Sequence, residues 1–219
     1  MAENQDLIRK DALVVPIRSL GPGHRERIAN HLLALDEHDR YLRFGYAASD
    51  EHVQRYVDQL DFDRDDIFGI YNRKLELIAV AHLAFMQDEG AAAGAEFGVS
   101  VSRKARGRGY GSRLFERAVM HARNEGVQSL FIHALSENTA MLKIARNAGA
   151  TVERDGSESE AFLRLPAATL DSRVNELVQQ HLGLTDYHLK AQAHQFRSFL
   201  QGLQVVRQGV QDARQKSGR

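Results

Sequence analysis

The run Arg106-Gly107-Arg108-Gly109-Tyr110-Gly111-Ser112 sits between a β-branched segment, AEFGVSVS, and an amphipathic one, SRLFERAVMHARNEG. Alternate glycines let consecutive backbone N–H groups converge on an anion, and a helix opening directly behind them adds four unpaired N–H groups and the positive end of its dipole. A pyrophosphate fits such a nest. Three other uses of clustered glycine fit less well. A Walker loop needs Gly-Lys-Ser/Thr, which is absent here. A dinucleotide-binding turn follows the first strand of a parallel βαβ unit and has an acidic residue about 20 positions on. An arginine-glycine RNA-binding segment is repetitive and disordered, whereas this run occurs once between apolar elements. A tight turn with a purely structural role stays open.

The elements that must position this stretch are legible on both sides of it. Ala12 to Leu20 reads as a short apolar strand, broken by Gly21-Pro22-Gly23 before a helix with Ile28, Leu32 and Leu35 at helical spacing. A second helix covers EHVQRYVDQLD, capped by Ser49 or Asp50, with Val53, Tyr56, Val57 and Leu60 on one face. Between them, DRYLRFGYAAS is aromatic and basic without a clear period, and reads as a substrate-facing loop. DIFGIYNR, LELIAVAHLAF and AEFGVSVS read as successive antiparallel strands, separated by an Arg73-Lys74 turn and a loop from Gln87 to Gly94. Beyond the glycines, Leu114, Phe115, Ala118, Val119 and Ala122 form one helical stripe that stops at Gly126. The strand SLFIHALS, a helix from Asn138 to Ala148 stopped by Gly149, and short strands in ATVERD and AFLRLP complete the pattern.

The composition removes several function classes. Basic and acidic side chains number 29 each, so the total charge draws the chain toward neither nucleic acid nor anionic lipid. No apolar run approaches the roughly 18 residues of a membrane span, and the N-terminus lacks a signal-peptide pattern, so a cytoplasmic location is expected. The chain has no cysteine, which removes disulfides, thiolate nucleophiles and zinc-thiolate sites. Its 10 histidines are scattered, and no metal is expected.

The glycine run resembles the pattern Arg/Gln-x-x-Gly-x-Gly/Ala of the GNAT N-acetyltransferase family, here Arg106 to Gly111 between the fourth strand and the third helix. Downstream, Asn138 to Ile144, closing at Gly149-Ala150, resembles that family's second acyl-CoA motif. The resemblance covers roughly residues 10 to 166, strongest from Glu96 to Ala150. It implies an α/β (α+β) GNAT fold, a mixed, mostly antiparallel sheet whose fourth and fifth strands splay apart, and acetyl-CoA as co-substrate. It implies further that backbone groups of Val99 and Val101 pair with pantetheine, that the stretch Arg106, Gly107, Arg108, Gly109, Tyr110, Gly111 and Ser112 holds the pyrophosphate through its amides, and that Asn138 contacts the pantetheine arm. Lys143 and Arg146 could reach the 3′-phosphate.

Acyl transfer to an amine needs a base for the ammonium, a polarised carbonyl and a proton for the departing thiolate. Glu96 opens the fourth strand where the family often keeps a catalytic carboxylate, and is the candidate base; a solvated or arginine-paired edge glutamate is the equal alternative. The family's tyrosine acid is replaced by Ala145, leaving His133, Tyr110 or a water. His82, Tyr41, Arg43 and Phe44 are candidates to line the acceptor cleft, and Arg40 and Arg43 would suit an acidic acceptor.

The composition changes after Pro166, so a domain over 10–166 and a helical extension over 167–219 are expected. Phe196, Phe199, Leu203, Val206, Val210 and Ala213 alternate spacings of three and four, a narrow seam suited to docking on the domain, to a homodimer or to binding a different protein, the first two being favoured. The expected activity is acetyl transfer to a primary amine of a small molecule or protein, in a ternary complex. A catalytically weak acyl-CoA sensor or scaffold is the alternative, and an Arg-Gly RNA-binding protein a weaker third.

Overall fold

The computed structural model describes residues 15–86 and 93–191. The strand DIFGIY is apolar on both sides of its pleat because both sides are covered. Phe68 and Ile70 enter one core, and Ile67 and Tyr71 enter another across the sheet. Seven strands form that sheet: β1 (Arg18–Leu20), β2 (Asp66–Tyr71), β3 (Leu77–Phe85), β4 (Gly94–Val101), β5 (Ser129–Leu135), β6 (Thr151–Asp155) and β7 (Glu158–Arg164). Their order is β1-β2-β3-β4-β5-β7-β6, and every pair is antiparallel except β4 with β5. The expected mixed, mostly antiparallel sheet is therefore present. β1 is shorter than the apolar run suggested: only Arg18 to Leu20 pair with β2, and Ala12 to Val14 lie outside the described residues.

One face carries α4 (Tyr110–Asn124) and α5 (Thr139–Asn147). Leu114, Phe115, Ala118 and Ala122 of α4 are buried against Leu83, Ala95 and Phe97, and Phe97 meets Phe115 edge to face. The other face carries α1 (Arg25–Leu33) and α3 (Asp50–Asp58), which bury Ile28, Leu32, Val53 and Val57 over Ile67 and Val80. His31 fastens α1 to the sheet. Its Nδ1 lies 3.0 Å from the Leu77 carbonyl, which can only accept, so Nδ1 carries the proton and Nε2 accepts from Ser100 Oγ at 2.9 Å. Burial pushes its pKa down to about 4, so the ring stays neutral.

DRYLRFGYAAS is not a loop. α2 (Glu37–Phe44) runs through it, capped by Asp36, whose carboxylate accepts from the Asp39 amide at 2.8 Å, and closed by Gly45 at φ 81°. Only Asp39 of this helix is buried, so it has no apolar stripe to betray it.

A sixth helix, α6 (170–191), follows the sheet. Its Glu176 accepts from Arg117 at 2.6 Å, from His121 and from Asn124, all on α4, while His121 Nε2 reaches Asp66 of β2 at 2.7 Å. Farther along, Gly183 lies against the Ile17 carbonyl, where an added Cβ would stand 2.1 Å from the oxygen. Tyr187 receives the Arg18 guanidinium on its ring face at 3.9 Å. The seam residues Phe196 to Ala213 lie outside the described residues. Among the described residues no helix is long and apolar enough to cross a membrane.

Candidate active site

The β4 and β5 strands pair only over Gly94–Glu96 and Ser129–Phe131, whereas β3 stays paired with β4 up to Val101. Past Glu96, the β4 edge that faced β5 has no strand partner among the described residues. Two cavities open beside this gap. The first, of about 450 Å³, runs from the glycine stretch past Val99 and Val101 to Asn138, Met141 and Ile144. The second, of about 380 Å³, is lined by Glu96, His133, Glu158 and Glu160. Arg43, Val99, Asn138 and Met141 belong to both walls.

Gly107 and Gly109 adopt φ of 73° and 75°, a region that costs a side-chain-bearing residue about 1–2 kcal/mol. Among the described residues nothing lies within 4 Å of where their Cβ atoms would be, so the space beside them is open. Gly109 caps α4, and the first amide bonded inside that helix is Arg113, to Gly109 O at 3.0 Å. The amides of Tyr110, Gly111 and Ser112 are therefore left for an anion at the positive helix end. Gly111 serves packing instead, since a Cβ there would stand 3.2 Å from Ile144 Cδ1.

The flanking side chains divide between anchoring and lining. Arg106 pairs with buried Asp39 and Arg103 with Asp36 at 3.5 Å, so both tie the glycine turn to α2. Arg108 is exposed, and Lys143 lines the first cavity whereas Arg146 lines neither. Asn138 caps α5: its Oδ1 accepts from Met141 N at 3.1 Å and its Nδ2 donates to Leu42 O at 3.3 Å. Ala145 is fully buried and lines neither cavity.

Glu96 and His133, chosen from the sequence for separate reasons, meet across the gap. His133 Nδ1 lies 3.4 Å from Glu96 and Nε2 lies 3.3 Å from Glu160. Glu96 is about half exposed, as the solvated alternative allows, and the cationic-type side chain beside it is His133 rather than an arginine. His82 lines neither of these two cavities. Partly buried on β3, it joins Tyr56 Oη at 2.8 Å and Asp65 at 3.0 Å. Burial first, and the nearby Arg43 charge, push its pKa down, so the neutral ring accepts from Tyr56 and donates to Asp65. Tyr41 lines neither cavity, while Phe44 lines the second. Arg40 is consumed by structure, donating to the carbonyls of Leu33 at 2.6 Å and Leu35 at 3.2 Å and pairing with Asp50. Asp39, Tyr56 and Asp65 were missed by sequence reasoning. The Asp36 cap and Gly45 stop were the available signals for the helix that holds Asp39.

Comparison with known proteins agrees with this geometry. The family model described as "Acetyltransferase (GNAT) family" matches residues 32–150, more than half of the chain. Nothing among curated proteins matches by sequence. The GNAT domain of S. lividans PAT is 23% identical with a TM-score of 0.58, over 68% of this chain and 89% of that one. Spermidine N-acetyltransferase from Vibrio cholerae, solved with CoA and spermine, is 16% identical with a TM-score of 0.52, over 68% of this chain and 94% of that one. At such identities these structures speak for the fold alone. The matched family model, the splayed sheet and the glycine turn feeding α4 agree, and the chain belongs to the GNAT acetyltransferase family.

Proposed function

We propose that the protein is an acyl-CoA-dependent N-acyltransferase that moves an acetyl group from acetyl-CoA to a primary amine by direct attack in a ternary complex. The observation that carries this reading is the pair of cavities meeting at the β4/β5 gap, one leading from the glycine turn and the other lined by Glu96 and His133. The donor cavity fits CoA: open space beside Gly107 and Gly109, free amides at the start of α4, Lys143 on the wall, and the unpaired β4 edge at Val99 and Val101. Bound there, acetyl-CoA supplies an activated acyl carbon on a thiol leaving group.

Glu96 takes the proton that frees the acceptor nitrogen, directly or through one water. A backbone amide of the free β4 edge near Val101 donates to the carbonyl oxygen as it gains charge. The N–C bond forms and the C–S bond breaks. Of the two protons lost by the ammonium, one returns to the sulfur and one leaves to solvent. His133 is the favoured donor to sulfur, because it lines the gap while Tyr110 stands at the glycine turn. The absence of cysteine removes the commonest nucleophile for a covalent acyl-enzyme, which supports direct attack.

Glu96→Gln is expected to lower kcat/KM about a hundred- to ten-thousandfold while leaving acetyl-CoA affinity unchanged. Steady-state acetylation beside calorimetric titration reads both. Buried Ala145, with no hydroxyl to offer, is what favours the second reading, an acyl-CoA sensor or scaffold. Tight acetyl-CoA binding without turnover on any primary amine would select it. A homodimer through the C-terminal helix would cover Leu170, Leu177 and Leu189, which are 83%, 66% and 62% exposed. Light scattering is expected to give twice the chain mass, and a monomer at micromolar concentration removes the dimer.

A further inference from the structure

Arg43 lies where both cavities meet, with its guanidinium packed flat over Gly98: a Cβ on that glycine would stand 2.8 Å from Arg43 Cζ. Its one hydrogen bond among the described residues is from Nη2 to Tyr56 Oη at 2.8 Å. Tyr56 donates its hydroxyl hydrogen bond to His82 Nδ1, and His82 donates to Asp65. The partner that holds Arg43 is thus a neutral hydroxyl backed by a neutral ring, and the Asp65 carboxylate is shared with Arg64 at 3.1 Å. No carboxylate among the described residues lies within ion-pair distance of Arg43, in contrast to Arg40, Arg103, Arg106 and Arg117. The end of α2 offers only a partial negative charge. Glu96, Glu158 and Glu160 line the same cavity but stand beyond ion-pair distance, so this partly buried cation, held rigid on the wall, keeps its donors for an anion in direct contact.

Glu96 and Gly98 share one face of β4, two residues and roughly 7 Å apart. The second cavity therefore presents a carboxylate for an ammonium group and, one step along, a guanidinium for a carboxylate. We infer that the acceptor is a zwitterionic amine of the amino-acid class, its nitrogen facing Glu96 and its carboxylate held by Arg43. This rests on the acyl-transfer reading.

The full-length protein is assayed with acetyl-CoA and matched acceptors, L-leucine against isopentylamine and L-phenylalanine against phenethylamine. CoA release is followed with a thiol reagent, to which the cysteine-free chain is silent. The carboxylate-bearing member is expected to have the higher kcat/KM by about tenfold or more. Arg43→Gln brings the ratio near one, Arg43→Lys keeps part of it, and Tyr56→Phe lowers it by releasing the guanidinium. An equal fall for both members in Arg43→Gln, or wild-type preference for the decarboxylated amine, overturns the inference. So does a protein that binds acetyl-CoA by calorimetry but acetylates neither member of either pair, an outcome that leaves the acyl-transfer reading standing. Failure to bind acetyl-CoA removes that reading itself, and the inference with it.

Discussion

Glu176→Ala is expected to cost about 3–5 kcal/mol of stability, because it leaves the Arg117 guanidinium, 3% exposed, charged and unpaired beneath α6. Urea denaturation at fixed pH measures the loss, and a change below about 1 kcal/mol would reduce the cluster to an ordinary surface pair. The effect has a defined pH window. Burial alone would lower the His121 pKa, but hydrogen bonds to Asp66 and Glu176 outweigh it and raise the value from 6.5 to about 9. Burial would raise that of Glu176, but His121, Asn124 and Arg117 outweigh it and lower the value from 4.5 to about 2.

His121 therefore contributes stability that is complete below pH 6.5 and is lost as pH rises through about 9. Glu176 contributes stability that is complete above pH 4.5 and is lost as pH falls through about 2. The gap between wild type and variant is widest from pH 4.5 to 6.5. It narrows on either side but stays open in alkali, where Arg117 remains charged. A gap that does not change with pH would mean that the helix docks by packing alone.

Gly109→Glu is expected to weaken acetyl-CoA binding at least about a hundredfold, from micromolar or tighter in the wild type, a loss of about 2.7 kcal/mol. Two costs combine. Gly109 stands at φ 75°, where a side chain is strained, and the new carboxylate would sit where free amides and the α4 helix end favour negative charge. Gly109→Ala separates the terms, since it carries the strain without the charge and should lose less. Calorimetry on both variants, with circular dichroism to confirm folding, decides the matter. Equal losses would assign the effect to backbone strain, and unchanged affinity in Gly109→Glu would leave the glycine turn with only a structural role.

Legibility in the sequence followed the physical origin of each element. Where burial of an apolar face makes the element, the residues announced it: Leu114, Phe115, Ala118 and Ala122 specify α4, and Val53 and Val57 specify α3. Positive-φ glycines marked the stops at Gly126 and Gly149. By contrast, α2 is held by its Asp36 cap, by Arg40 on backbone carbonyls and by Asp39 pairing with Arg106, none of which has a period. The α6 contact is similar, since Glu176 looks like any helical glutamate until Arg117, His121 and Asn124 of α4 surround it. At the site, Glu96 and His133 were each visible, but their meeting depends on the parallel pairing of β4 with β5. His82 lay on the right strand and was drawn away by Tyr56 and Asp65, partners distant in sequence.

A β-sheet must also protect itself from uninvited strands, and here each boundary is treated differently. The β1 margin lies under α6, whose Gly183 presses on the Ile17 carbonyl with no room for a side chain. The β6 margin is short and exposes Glu153, Arg154 and Asp155, charges that repel an adding strand. Among the described residues, β4 past Glu96 also lacks a strand partner toward β5, and this internal margin borders the two cavities. The outer margins of the sheet are thus shielded, whereas its break in pairing lies inside it, between β4 and β5.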